Sequence, residues 1–267
     1  MATVGFDDWL SEAVVSILEQ TEVDLELLLV LDGTTPTTNP SWLGDRRVTI
    51  LSLPQRRGLA NAMVVASRRA TGRYLARMDA DDIAMPNRLS MAVSYLQSNP
   101  DTSVVGTAAS LIDRRSRVVG ELLPASGSDV RRALVGRNQL VHPSVVMRRD
   151  AYFAAGGYNP GLSRMQDYDL WLRMALEGPI AVLPEKLLKY RLHPGQSSRG
   201  APPRGRHVRE ITRGQLRLGR ALRLTPLEVA PALAAWRAAQ FARYYGLVRP
   251  GYDRGLDKHA GLIGKAD

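Results

Sequence analysis

Cysteine is absent from the 267 residues, which removes disulfides, thiolate metal sites and cysteine nucleophiles together and leaves the redox compartment open. The first residues, MATVGFDDWLSEAVV, carry acids where a secretory signal would carry bases, and no apolar run approaches the length that spans a bilayer. A cytoplasmic protein, soluble or peripheral on the inner face of a membrane, is the expectation. No internal repeat is present, and no G-x-G-x-x-G follows a strand, which excludes a dinucleotide-binding dehydrogenase.

Charge is present in excess but unevenly. The net +10 is concentrated from Arg199 onward, where the chain holds 14 of its 36 Lys and Arg but only 5 of its 26 Asp and Glu. A nearly neutral body argues against nucleic acid as its partner and assigns any anionic surface to the tail. There Arg206, Arg209, Arg213, Arg217 and Arg220 recur at helical spacing opposite Val208, Ile211, Leu218 and Leu222, a basic amphipathic helix suited to a membrane surface or to docking on the body. Thr225 and Glu228 form a capping box for a second helix that Pro231 interrupts.

Periodicity predicts a helix over 9–19, a buried strand over 25–31 ending at Asp32-Gly33, a strand over 48–53, a helix over 59–70 and a strand over 73–78. A helix over 88–97, a strand over 103–108, a hairpin-like stretch near 113–119, a short helix over 128–137, a short strand over 144–147 and an amphipathic helix over 167–176 follow. Alternating strands and helices with short links imply an α/β fold with a mostly parallel central sheet flanked by helices. Pro and Gly thicken from Pro194 to Gly205. The expected organisation is a domain over 1–198, in halves 1–100 and 101–198, and a basic helical extension over 199–267.

The sharpest chemical signal is Asp79-Ala80-Asp81-Asp82 at the C-terminal end of a predicted strand, where ligands gather in open α/β sheets. Alternation puts Asp79 and Asp81 on one side with Cα atoms roughly 6–7 Å apart, a span that suits one hard cation and one sugar hydroxyl. A lone D-x-D is equally a solvated acidic turn, so context decides. Asp167 opens the helix QDYDLWLR, where a first-turn carboxylate is held ionised and placed as a general base requires, although the same position also serves the helix dipole. His193 follows Lys189 and Arg191 at period two, so three cationic or coordinating groups share one strand face. His142 precedes Pro143, a setting as compatible with structure as with an acceptor site.

At this point the chain resembles the family 2 glycosyltransferases over residues 1 to about 198. The segments SILEQT (16–21), LLLVLDGT (27–34), RRGLANA (56–62), GRYLARMDADDIAMPNRL (72–89), HPSVVMRRDAYFAAGGYN (142–159), QDYDLWLR (166–173) and KYRLH (189–193) carry the resemblance in order. It implies a GT-A fold, inverting transfer from a nucleotide-diphosphate sugar to a glycan or lipid-linked acceptor hydroxyl, and a divalent metal, manganese or magnesium. It further implies that Asp32 contacts the nucleotide base, Asp79 lies near the ribose and phosphates, Asp81 ligates the metal with His193 beside it, and Asp167 is the base. Arg56 or Arg57 falls where the family offers a basic side chain to the nucleotide, Arg57 being carried forward as the candidate. His142 and Arg191 are placed on the acceptor side.

Two departures stand out. Leu31 occupies the first of two positions that the family usually fills with aspartates, a change expected to affect packing, since Leu31 faces away from Asp32. The family's first strand is expected to be missing, with the coding sequence continuing upstream through an apolar segment of five to seven residues. Competing expectations are a metal-dependent nucleotidyltransferase, which would release pyrophosphate, and a non-catalytic glycosyltransferase-like binding module.

Overall fold

The computed structural model describes residues 1–194, 202 and 205–247. Met1 and β1 (Ala2–Thr3) lead to α1 (Asp8–Leu18), whose N-cap Asp7 accepts the Leu10 N–H at 2.9 Å and whose Leu10, Ala13, Val14 and Ile17 are buried. The apolar run that follows forms β2 (Leu27–Asp32), every residue of it buried, and β3 (Val48–Leu53) and α2 (Leu59–Arg69) complete the first unit. β1, β2 and β3 make a parallel sheet in that order, with Ala2 opposite Val30 and Thr3 opposite Leu31. The expectation of a missing first strand is corrected in part: a two-residue strand, Ala2–Thr3, pairs in parallel with the end of β2. Leu31 is fully buried in the apolar cluster with α1, as the packing reading required.

β4 (Tyr74–Ala76), β5 (Ile83–Ala84), α3 (Arg88–Ser98), β6 (Val104–Ile112), β7 (Val118–Leu122), α4 (Arg131–Leu134), β8 (Val146–Arg148), α5 (Arg149–Ala154), α6 (Gln166–Glu177) and β9 (Ile180–Arg191) build the rest of the body. Their sheet runs β4-β8-β6-β9-β5, with β7 beside β6. Only β6 and β9 are parallel in it. The expectation of one mostly parallel sheet thus holds for β1 to β3 and is corrected for the remainder. The cause is local: the tight Asp113–Ser116 turn returns the chain as an antiparallel hairpin, whereas the long connection through α4 to α6 permits the parallel β6–β9 pair.

Helices cover the sheets and supply the core, in which Trp171, Leu170 and Met174 of α6 are wholly buried. Beyond the body, α7 (Arg206–Ala221) and α8 (Pro226–Tyr244) are present, and the expected capping box forms at Thr225 and Glu228. Val208, Ile211 and Leu218 of α7 and Trp236 of α8 join the same core cluster as α6. The proposed linker at 194–205 falls largely outside the described residues, as does the basic stretch after Leu247.

Candidate active site

Candidate side chains lie at the end of β2 (Asp32) and just beyond the ends of β4 (Asp79, Asp81 and Asp82) and β9 (His193). After Ala76 the chain leaves the ladder and turns through Asp79, Ala80, Asp81 and Asp82 into β5. One carboxylate oxygen from each of Asp79, Asp81 and Asp82 lies within 4.8 Å of the others. Asp82, which the sequence reading included in the motif without a role, is the most buried of the three. Its Oδ1 accepts the Arg191 N–H at 2.8 Å, and its Oδ2 has no partner. Burial raises the Asp82 carboxyl well above the carboxylate range, and the neighbouring Asp79 and Asp81 add to it. Asp81 is raised by burial and by Asp79, against the pull of His193. Asp79 goes the other way: desolvation is the largest single effect and raises it, but the buried Arg77 guanidinium that pairs with it, with His142 and the chain's amino group, together lower it.

These residues fit a divalent cation. Three clustered carboxylates, one with a free buried oxygen, form a hard-oxygen set whose mutual repulsion such an ion would relieve. His193 Nε2 sits 2.8 Å from Asp81 Oδ2, so the structure brings those two candidate ligands together. Arg191 is wholly buried and committed elsewhere. Its Nε donates to the Asp81 carbonyl at 2.7 Å, its Nη1 to Ser116 Oγ at 2.9 Å and its Nη2 to Glu12 at 2.5 Å, while its guanidinium lies 5.2 Å from the Trp9 ring centre. It clamps the acidic turn to α1 and the β6–β7 hairpin.

Asp32 ends β2 with both carboxylate oxygens occupied by backbone, accepting from Arg57 N–H at 2.6 Å and Gly58 N–H at 2.8 Å. It fixes the loop that enters α2. Gly33 completes the arrangement: its φ is +73°, and a Cβ there would meet the Arg56 nitrogen at 2.4 Å. The Arg57 side chain stays exposed at this rim.

Asp167 stands in the first turn of α6, after Met165 in the left-handed region at φ 56°. Its Oδ2 accepts from Asn138 Nδ2 at 2.9 Å. The expectation that the helix start holds it ionised is corrected in degree. Burial dominates and raises its pKa, against the Tyr168 and Asp167 backbone N–H groups and Asn138. His142 is held at 2.7 Å by the Tyr158 hydroxyl and lies edge-on to Trp171. Burial first, then Arg77, lowers its pKa to about 3, so it is neutral. Arg77 is thus the shared charge of the site, acting on Asp79, His142, Tyr158 and Asp167.

The sequence profile of glycosyl transferase family 2 matches residues 5–153. The chain belongs to that family. It is 34% identical over 187 residues to the amylovoran biosynthesis glycosyltransferase AmsE of Erwinia amylovora, an alignment covering 68% of this chain and 70% of AmsE. It is 31% identical over 209 residues to the O-antigen biosynthesis glycosyltransferase WbnJ of Escherichia coli, covering 75% and 81%. Among solved structures, S. aureus TarS 1–349 in complex with UDP-GlcNAc superposes with a TM-score of 0.65 at 16% identity, over 99% of this chain and 74% of that one. The mannosyltransferase PcManGT of Pyrobaculum calidifontis, in complex with GDP-Man and Mn2+, gives 0.53 at 20% identity, over 98% and 78%. The glycosyltransferase therefore has the GT-A fold.

The sequence named Asp32, Arg57, Asp79, Asp81, His142, Asp167, Arg191 and His193 as candidates, included Asp82 in the acidic motif without a role, and passed over Arg77, Asn138 and Tyr158, which the structure sets against Asp79, Asp167 and His142. Arg77 and Asp82 flank the D-x-D, where adjacency alone was a signal. Asn138 and Tyr158 lie in loops whose approach to Asp167 and His142 no periodicity encodes.

Proposed function

We propose that the protein is an inverting glycosyltransferase that moves a sugar from a nucleotide-diphosphate donor to an acceptor hydroxyl in the synthesis of a bacterial surface polysaccharide or glycolipid. The observation that carries this reading is the three-carboxylate cluster at the strand ends, sharing the field of Arg77 with a raised, half-buried carboxyl at Asp167. The names of AmsE and WbnJ support the polysaccharide class, and the nucleotide sugars bound by TarS and PcManGT support the donor class.

In this reading Asp79 and Asp81, with His193 beside Asp81, hold magnesium or manganese, and Asp82 completes the set. Such an ion would offset the charge that builds on the departing diphosphate. Asp32 sets the rim loop, and Asp32 and Arg57 border the nucleotide. Asp167 accepts the proton of the acceptor hydroxyl. Asn138 holds one of its oxygens, and the raised pKa makes the carboxylate a stronger base than an exposed aspartate. Attack from the face opposite the diphosphate inverts the anomeric carbon, and no second carboxylate nucleophile is required. His142 and Arg191 border the acceptor side, His142 as a neutral group and Arg191 by fixing the acidic turn. The body is taken as residues 1–198 and the basic extension as 199–267.

The reading is tested by thermal shift with nucleoside diphosphates, with and without manganese, because a ligand that binds only the folded state raises its stability. A manganese-dependent shift with UDP, GDP or dTDP is expected. The absence of any such shift across the series would overturn the donor assignment.

A further inference from the structure

One stripe of α1 faces the chain that carries the acidic turn. Residues three and four apart in a helix share a face, and Trp9, Glu12, Ser16 and Gln20, the last just past the helix end, follow that spacing. Gln20 Nε2 donates to the Met85 carbonyl at 2.7 Å, and its Oε1 accepts the Leu89 N–H at 2.8 Å. Ser16 Oγ accepts the Ala84 N–H at 3.0 Å. Glu12 accepts from Arg191 at the end of β9. At the top of the stripe the Trp9 ring centre lies 5.1 Å from that of His193, with the two planes tilted by 53°.

His193 stands two residues past β9, and the last ladder-like bond before it joins Leu192 N–H to the Ile112 carbonyl. Among the described residues its imidazole makes one hydrogen bond, from Nε2 to Asp81 Oδ2 at 2.8 Å, and one ring contact, with Trp9. A single hydrogen bond leaves a ring free to swing about that bond. A second contact, on the ring itself, removes the freedom. Trp9 is in turn fixed: the guanidinium carbons of Arg191 and Arg114 lie 5.2 and 6.0 Å from its ring centre, within cation–π range. Arg191 is anchored by the Asp81 carbonyl, Ser116 and Glu12, so the acidic turn, the β6–β7 hairpin and α1 share one frame.

We propose that Trp9 is a positioning residue for the metal site: its ring holds the His193 imidazole with Nε2 turned to the carboxylates of Asp79, Asp81 and Asp82, so that α1 sets the nitrogen ligand of the divalent cation. The role rests on the reading of that cluster as a cation site. Ordering a ligand when the ion arrives costs affinity, and a ring ordered beforehand avoids that cost. An aliphatic residue at position 9 would fill space without offering the arginines a π face, whereas phenylalanine keeps the face.

The probe is Mn2+ alone, titrated into the full chain with the free ion followed by electron paramagnetic resonance. Trp9→Leu is expected to raise the Kd for Mn2+ about tenfold and Trp9→Phe by less than about threefold, as for partners that orient a metal ligand. In a His193→Ala background, Trp9→Leu should change the Kd by less than about twofold, because its effect passes through the imidazole. Trp9 and His193 are both partly exposed, and each variant is titrated well below its melting temperature, so lost folding does not read as lost affinity. NMR of the metal-free chain gives a second reading: the indole ring current should shift the His193 ring protons in wild type, and Trp9→Leu should remove that shift. Wild-type Mn2+ affinity in Trp9→Leu, an equal loss in the His193→Ala background, or unshifted His193 protons in wild type would each overturn the positioning role and leave the cation site standing. Absence of Mn2+ binding by the wild type would instead overturn the cation reading, and this role with it.

Discussion

Single side chains divide the work at the strand ends, and their environments set what each substitution should do. Asp81 lies in the carboxylate cluster against His193. Asp81→Asn is expected to abolish manganese-assisted nucleotide binding and turnover while leaving the melting temperature within a few degrees of wild type. Full activity in EDTA would refute the metal role. In the proposed mechanism Asp167 acts on the acceptor side, so Asp167→Asn should lower kcat by about 10²–10⁴-fold and leave donor affinity by calorimetry near wild type. A large loss of donor affinity would show the role misassigned. His142 reports through stability. Its pKa is about 3 folded and near 6.5 unfolded, so between those values only the unfolded chain takes the proton. Stability is then complete above about pH 6.5 and declines as pH falls, by about 1–2 kcal/mol at pH 5. Urea midpoints for wild type and His142→Gln at pH 7 and 5 check this: the mutant should lose that part of the acid sensitivity, and an equal decline in both would rule it out. Asp79, Asp81 and Asp167 were legible because each sits at a position that local pattern defines, a strand end or a helix start. The raised state of Asp167 was not, because burial depends on Asn138 and on loops folded from elsewhere.

Whole elements were legible where the pattern was strong and local. β3 spans the residues read for it, and α1, α2, α3 and α6 lie within two residues of their readings. β9 was the largest loss. Only its end was read, because Pro184-Glu185-Lys186 breaks the apolar run with exposed residues, yet the strand continues beside β6 with a shift in register at Thr107 and Ala108. The tail held a choice that sequence left open, membrane surface or docking on the body, since an amphipathic face serves either. The structure spends the apolar face of α7 on the body. Gly214 packs on Leu172, where a Cβ would come within 3.0 Å, and Gln215 donates to the Tyr168 hydroxyl at 3.1 Å, which in turn donates to the Leu134 carbonyl. α7 is therefore part of the cooperative unit, although the chain after 198 reads as an appendage. Leu218→Ala, at a fully buried position, should cost about 2–5 kcal/mol and lower the single unfolding transition of the whole domain. A separate early transition with the main one unmoved would show instead that α7 folds independently.

Across the whole molecule, charge and surface combine in a way that neither a residue nor a helix shows alone. The body is close to neutral and the excess positive charge lies after Arg199. With the apolar face of α7 turned inward, Arg213, Arg217 and Arg220 point outward in solvent, and no helix among the described residues is long and apolar enough to cross a membrane. Binding to a lipid surface that holds a lipid-linked acceptor would then be electrostatic, without an inserted apolar stripe on α7. Each arginine near an anionic bilayer contributes about 1 kcal/mol, so three together are worth roughly a hundredfold in partition. Such attraction decays over a Debye length of about 8 Å at physiological salt, which makes it salt-sensitive. The full chain is expected to co-sediment with vesicles containing about one third phosphatidylglycerol at low salt, to release near 0.5 M sodium chloride, and to ignore pure phosphatidylcholine. The triple change Arg213→Ser, Arg217→Ser and Arg220→Ser should weaken co-sedimentation roughly a hundredfold at low salt, with the melting temperature unchanged because all three side chains are exposed. Salt-resistant binding, or wild-type binding by the triple variant, would show that this face does not meet the membrane.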